Sequence, residues 1–121
     1  MSLRKEIKSF SCAFSGIAYL FKNETHAKYH LFVTVCVVAA GFAFGIEATE
    51  WLVVLLTIGV VMAAEAFNTA VEKLADVVSP QFDERIGRVK DVAAGAVLIC
   101  AILSVIIGAV IFLPYIIELF R

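Results

Sequence analysis

Glu65, Asn68, Glu72 and Asp76 recur at three- and four-residue steps inside a segment that is otherwise almost wholly apolar. At 100° per residue they fall within about one third of a helix circumference, so they form one polar stripe. Ionisable groups in such surroundings are costly to keep and mark functional positions. Carboxylates and an amide there suit the holding of a divalent metal and of a proton or phosphate in transfer. Glu65 follows Met62-Ala63-Ala64 and is the deepest acid in the chain, placed to collect a hydroxyl proton. Asn68 donates and accepts at once, so it can orient a hydroxyl or a phosphate oxygen. Glu72, two turns on, offers hard oxygen ligands for Mg2+. Asp76, one turn further, could fix a neighbouring base or a nucleotide group. The plainer alternative is that the four only lock helices together.

Lys90-Asp91 opens the next apolar run at the same level. A lysine there could neutralise the oxygens of a transferring phosphate, and Asp91 could orient Lys90 or accept from a nucleotide. The competing reading is a solvated helix start with an acid near its positive end. Glu24 closes an earlier amphipathic segment and could complete a metal site with Glu72, since two carboxylates plus phosphate oxygens and water suit octahedral Mg2+. Asn23 could cap a helix or bond phosphate, and Lys22 and Lys28 could meet lipid headgroups. His26 and His30 read as polar interface histidines, because their spacing is not that of a zinc site. The sequence has no GxxxxGK[ST] loop and no glycine loop, HRD and DFG set. Any nucleotide site must therefore be built from the helices themselves.

These residues need elements to carry them, and composition says which kind. Of 121 residues 62% are hydrophobic and only 17% charged, against about 45–50% and about 25% for soluble domains. The excess demands a bilayer as solvent. Ten basic and eleven acidic residues leave a net charge of -1, which argues against nucleic acid as a main partner. Cys12, Cys36 and Cys100 are isolated in sequence and read as small buried hydrophobes, not a disulfide framework. The basic N-terminus leads into an amphipathic stretch and not into a cleavable secretory signal.

The chain reads as one all-α domain over residues 1–121. Residues 1–28 form an interfacial amphipathic helix, in which Leu3, Ile7, Phe10, Phe14 and Ile17 recur at helical spacing; a break near Gly16 is one option. Membrane helices follow at 29–47, 50–78 and 90–119. The run Leu31–Ile46 is about 24 Å of helix and reaches membrane thickness only with its polar flanks, from about Lys28 to Glu47. Ser79-Pro80 ends the second span, residues 81–88 suit a loop or half-turn, and Pro114 could kink or shorten the third span. Gly95, Gly108, Ala93, Ala94 and Ala96 offer faces for close helix packing, which favours a bundle or oligomer. Lys and Arg gather at the N-terminus and at Lys73, Arg85, Arg88 and Lys90, while residues 47–50 have none. The N-terminus and the 79–90 loop are therefore expected in the cytoplasm, with the 47–50 turn and the C-terminus outside.

The segment Glu65-Ala66-Phe67-Asn68-Thr69-Ala70-Val71-Glu72, with Asp76 after it, resembles the ExxN[ST]AxE signature of the small bacterial membrane lipid kinases, the prokaryotic diacylglycerol kinase and undecaprenol kinase family. Lys90-Asp91-Val92-Ala93-Ala94-Gly95-Ala96-Val97 is similar to its second block, KDxxAGAV. Ser9-Phe10, Ala13-Phe14, Gly16-Ile17 and Asn23-Glu24 resemble its N-terminal region more loosely. The likeness runs over essentially the whole chain with all elements in order. It implies a homotrimer in the bacterial cytoplasmic (cell inner) membrane, with a surface helix and three spanning helices per subunit. It implies composite active sites at the cytoplasmic face that phosphorylate a lipid alcohol with MgATP. On that likeness Glu65 is the general base, Asn68 its polar companion, and Glu24 and Glu72 the metal carboxylates. Lys90 holds phosphate, Asp91 the nucleotide, and Asp76 supports the site. Asp83 stands where many relatives carry histidine, which leaves a nucleotide contact from that loop open.

Lys28-Tyr29-His30-Leu31 looks more like the undecaprenol kinase branch than the diacylglycerol kinase branch. The expected substrate is undecaprenol, with diacylglycerol, giving phosphatidic acid, as the alternative. Two other classes compete: a small oligomeric ion channel or transporter with the acidic stripe along its path, and an accessory membrane protein whose polar residues only join helices.

Overall fold

The computed structural model describes residues 2–121 as four helices. Met1, part of the expected interfacial segment, lies outside the described residues. The helices are α1 (Leu3–Asn23), α2 (Thr25–Phe44), α3 (Ala48–Val78) and α4 (Glu84–Leu119). Helices α2, α3 and α4 are each long and apolar enough to cross a bilayer, and α1 is not among them. The chain is an all-α, multi-pass membrane protein with one further helix at its N-terminus.

α1 runs through Gly16 without a break. The break comes instead at Glu24, whose extended backbone (φ -103°, ψ 119°) separates α1 from α2. Residues 25–28 thus belong to the first membrane-length helix and not to the interfacial one. Leu3, Ile7, Phe10, Phe14 and Ile17 are all exposed, and only Leu20 of this helix is buried. The apolar stripe of α1 therefore faces away from the bundle.

α2 ends in a left-handed glycine. Gly45 has φ 64°, and the Ile46 and Gly45 amides donate to the Gly41 and Phe42 carbonyls at 3.1 and 3.3 Å. This closure satisfies end carbonyls with a residue that pays no Cβ penalty. Gly41 is required for another reason: a Cβ there would meet the Trp51 ring at 2.6 Å. α3 begins two residues on from Ile46. The Glu47 amide donates to Glu50 Oε1 at 3.0 Å, and the Tyr115 hydroxyl donates to the same oxygen, tying the start of α3 to the end of α4. Ile46, Val54 and Ile111 form the buried cluster here, with Phe44, Trp51 and Phe112 against it. The packed core thus sits at the 45–50 end of the bundle.

The opposite end extends beyond a bilayer. A hydrocarbon layer of about 30 Å takes about twenty helical residues, whereas α3 has 31 and α4 has 36. Counted from Ala48, twenty residues end at Phe67, so Glu65 lies in the last turn of that length and Glu72 and Asp76 lie beyond it. α4 starts six residues before the expected 90. Asp83 provides the reason: its side chain accepts from the Arg85 amide at 2.9 Å and from the Arg85 guanidinium, so it caps the helix and shortens the loop to 79–83. The Arg85 hydrogen bond also holds the Asp83 carboxyl below its ordinary range. Pro114 lies inside α4, which continues to Leu119. Cys12 and Cys36 are exposed and Cys100 half-buried, contrary to the buried expectation, because four helices are too few to enclose these positions.

Candidate functional site

The α3 stripe is where the other three helices attach their charged and polar groups. Working up from the bilayer edge, α2 supplies the first contact. His30 Nε2 stands 3.4 Å from Glu65 Oε2. Glu65 is 3% exposed, the most buried charged residue among those described. One turn on, Asn68 Nδ2 donates to Glu72 Oε1 at 3.4 Å. Asn68 Oδ1 is buried and, among the described residues, unpartnered. An orphaned buried acceptor costs roughly 1–3 kcal/mol, so it invites a donor or a hard cation. Reversing the amide would turn Oδ1 against the Glu72 carboxylate, so the donor is assigned to the Glu72 side.

The α1–α2 junction supplies the next contact. Glu24 Oε1 lies 3.4 Å from Lys73 Nζ, one residue past Glu72. Lys73 also stands over the Tyr19 ring, 5.9 Å from its centroid. α4 supplies the last contact, with Lys90 Nζ donating to Asp76 Oδ1 at 2.5 Å. Asp91, next to Lys90, turns elsewhere and borders a shallow recess with Phe82, Glu84 and Arg88.

The structure thus brings Glu65, Asn68, Glu72 and Asp76 onto one stripe and sets Lys90 and Glu24 beside it. In this chain Glu24 is paired with Lys73 and Lys90 with Asp76, pairings that composition does not reveal. Asp91 does not orient Lys90. His30 was expected as an interface histidine, yet it contacts the deepest acid. Its signal in the sequence is a titratable ring at the start of an apolar run, on the helix that must pack on α3. Lys73 is informative for topology in the sequence and becomes a site neighbour in the fold.

Among the described residues no three His, Cys, Asp or Glu side chains converge on a metal position. Mg2+ needs no such protein cage: it keeps waters and substrate phosphate oxygens and takes one or two carboxylates. Glu72 fits that pattern as a single carboxylate, with the Asn68 amide nitrogen steadying one of its oxygens, while Glu24 is engaged by Lys73.

The sequence matches the prokaryotic diacylglycerol kinase family over residues 11–112. The chain is similar to undecaprenol kinase of Bacillus subtilis, 35% identical over 112 residues that cover 93% of this chain and 91% of the relative. It is similar to diacylglycerol kinase of Synechocystis sp., 37% identical over 112 residues, covering 92% of this chain but 64% of that longer protein. Diacylglycerol kinase of Haemophilus influenzae is 29% identical over 107 residues, 88% of this chain and 91% of its own length. These identities do not separate the two branches. A stripe of acids and an amide at the bilayer edge, on a chain matched almost end to end, leads to one assignment: the chain belongs to the prokaryotic diacylglycerol kinase family and is a phosphotransferase of the lipid-kinase type.

Proposed function

We propose that the chain transfers the γ-phosphate of ATP to the hydroxyl of undecaprenol, with Mg2+, at the cytoplasmic face of the bacterial cytoplasmic membrane. The observation that carries this reading is the pairing of a buried carboxylate, Glu65, with an unpartnered buried amide oxygen, Asn68 Oδ1, where α3 leaves the hydrocarbon layer. A lipid alcohol places its one polar group at that depth. The hydroxyl proton passes to Glu65 as the hydroxyl oxygen bonds Pγ and the bond from Pγ to the ADP oxygen breaks. Asn68 holds the hydroxyl in line, and such positioning supplies much of the rate. Lys90 releases Asp76 and meets the γ-phosphate oxygens, offsetting the charge that spreads over them. Glu24, Glu72 and Asp76 hold the metal and nucleotide side, with Asp91 toward the nucleotide. Mg2+, when bound there, neutralises phosphate charge.

The α1 stripe lies in the membrane surface, where its exposed Phe and Ile side chains reach lipid. The N-terminus and the 79–83 loop are cytoplasmic, and the 45–47 turn and C-terminus are outside, following the lysine and arginine bias. The chain works as a homotrimer; a Cβ at Gly95 would meet nothing within 4 Å, which leaves room on α4 for close packing by a neighbour. The second reading keeps the same chemistry with diacylglycerol, and is favoured by the 37% identity to a relative of that name.

The test supplies purified full-length chain with ATP labelled in the γ-phosphate and offers undecaprenol and diacylglycerol separately. Label is expected in undecaprenyl phosphate. Label in phosphatidic acid alone moves the substrate to the second reading, and ion flux in liposomes with no labelled lipid defeats both. Glu65→Gln is expected to bind ATP as the parent does and to lose turnover. A variant turning over at the parent rate removes Glu65 from the base role.

A further inference from the structure

We infer that His30 is a positioning residue for phosphotransfer, holding the Glu65 carboxylate and giving its proton a way out. The inference rests on the reading of Glu65 as the base. Glu65 and its contact lie 3.4 Å apart, with side chains 4% and 23% exposed respectively. The base is therefore buried within the chain, and the group touching it is only half-buried. A carboxylate that accepts one proton per turnover must discharge it, and a buried one needs a neighbour that both accepts and donates. An imidazole does this with two nitrogens, one toward the acid and one away.

Among the described residues His30 is the one basic side chain within ion-pair distance of Glu65. The other acids of the stripe have different partners: Glu72 has Asn68, Asp76 has Lys90, and Glu24 has Lys73. The 3.4 Å spacing is longer than a good hydrogen bond, as is common for catalytic contacts before substrate closes the site. α2 fixes the backbone that carries the ring. Ala27, one turn before it, is fully buried, and the His30 carbonyl accepts from Thr34 Oγ1 at 2.8 Å. On its other side the ring borders a cavity of about 220 Å³ between α2, α3 and α4, lined by Val33, Val37, Val61 and Phe112 among others. The three hydroxyls on that cavity, Thr34, Thr57 and Ser104, are each bonded to a carbonyl of their own helix. Their hydroxyl protons are thus engaged by their own helices. In the cycle, the hydroxyl proton moves to Glu65 as the O–Pγ bond forms and the bond from Pγ to the ADP oxygen breaks; Glu65 then passes it to the unprotonated His30 Nε2 that faces it, the imidazolium gives its Nδ1 proton to water, and a return of the ring from the Nε2–H to the Nδ1–H tautomer restores both groups.

The experiment compares the full-length parent with His30→Ala and His30→Gln, assayed for lipid phosphorylation and for ATP binding, with Glu65→Gln in parallel. His30→Ala is expected to lose about 10²-fold in kcat, the lower range for a proton-transfer group, with KM for ATP and lipid within about twofold. Added imidazole, for which the truncated side chain and the adjoining cavity leave room, is expected to restore part of that rate. His30→Gln keeps the size and a donor but cannot relay a proton. It is expected to bind ATP normally, to be slow, and to gain nothing from imidazole. If His30→Ala fails to fold, the Gln variant decides: a parent-like rate overturns the inference. Loss expressed as a raised KM, or loss in the Ala variant that imidazole leaves unchanged, also overturns it. An inactive Glu65→Gln beside fully active His30 variants defeats this inference alone, whereas an active Glu65→Gln defeats the underlying base assignment.

Discussion

Glu24 Oε1 stands 3.4 Å from Lys73 Nζ, so the residue that breaks α1 from α2 is pinned to α3 immediately beyond Glu72. A carboxylate proposed to hold a cation is thereby occupied by a lysine. The pair is partly solvated, with side chains 55% and 20% exposed, so its effect on stability is small. Its effect on metal binding is larger in consequence, because ammonium and Mg2+ compete for one oxygen pair. Lys73→Met is expected to lower the Mg2+ concentration for half-maximal activity by about twofold to fivefold, with thermal stability nearly unchanged. A magnesium titration of ATP-dependent activity measures this; a higher requirement in the variant would mean that Lys73 assists the cation side.

Lys90 and Asp76 make the corresponding contact on α4. Two roles are combined there: joining α3 to α4 and presenting a charge to phosphate. Exchanging the residues, Asp76→Lys with Lys90→Asp, keeps the ion pair and moves the cation to the wrong helix. The exchanged protein is expected to fold with stability within about 1 kcal/mol of the parent and to lose at least about 10²-fold in turnover. Lys90→Met alone should be equally slow. A double-mutant cycle on unfolding and on kcat separates the two roles, and recovery of turnover by the exchange would make the pair a structural tie only.

The register of the site is legible in sequence because helical period alone puts Glu65, Asn68, Glu72 and Asp76 on one face. The helical class is equally legible, since apolar runs of this length have few other solutions. Pairings between helices are not, because they depend on which helix packs where. His30 reaching Glu65, and Lys73 taking Glu24, are separated by dozens of residues and leave no periodic trace. Helix ends are set by single residues of local chemistry. Glu24 breaks a run whose composition continues from Lys22 to Lys28, and Asp83 starts α4 inside a stretch whose charges suit a loop. Cysteine burial fails for another reason: on helices apolar enough to cross a bilayer, small apolar side chains need not point into the bundle.

The 45–50 end is expected to govern stability without touching chemistry. Gly41 allows the Trp51 ring to approach α2, and Gly45 supplies the left-handed closure. Gly41→Ala must displace an indole ring and is expected to cost about 1–3 kcal/mol. Gly45→Ala meets open space but keeps φ 64°, and is expected to cost about 1–2 kcal/mol. Both variants should retain the parent KM for ATP when assayed below their melting temperatures. Thermal unfolding in detergent measures the first claim, and equal stability of Gly41→Ala and parent would refute the close approach.

Asn68 tests whether the stripe is more than a lock between helices. Its Nδ2 donates to Glu72 Oε1 while its buried Oδ1 is left free. Asn68→Asp preserves shape but sets two carboxylates against each other, with a buried unpaired charge to accommodate. It is expected to lose both stability, by about 3 kcal/mol or more, and turnover. Adding Glu72→Gln restores a donor to the pair, now from Gln to Asp, and removes the repulsion. Stability should then recover substantially. Turnover should not, because the double variant has moved the negative charge from position 72 to position 68, away from the proposed metal side. If the double variant regains turnover together with stability, the two residues serve packing, and the cation must be held elsewhere on the stripe.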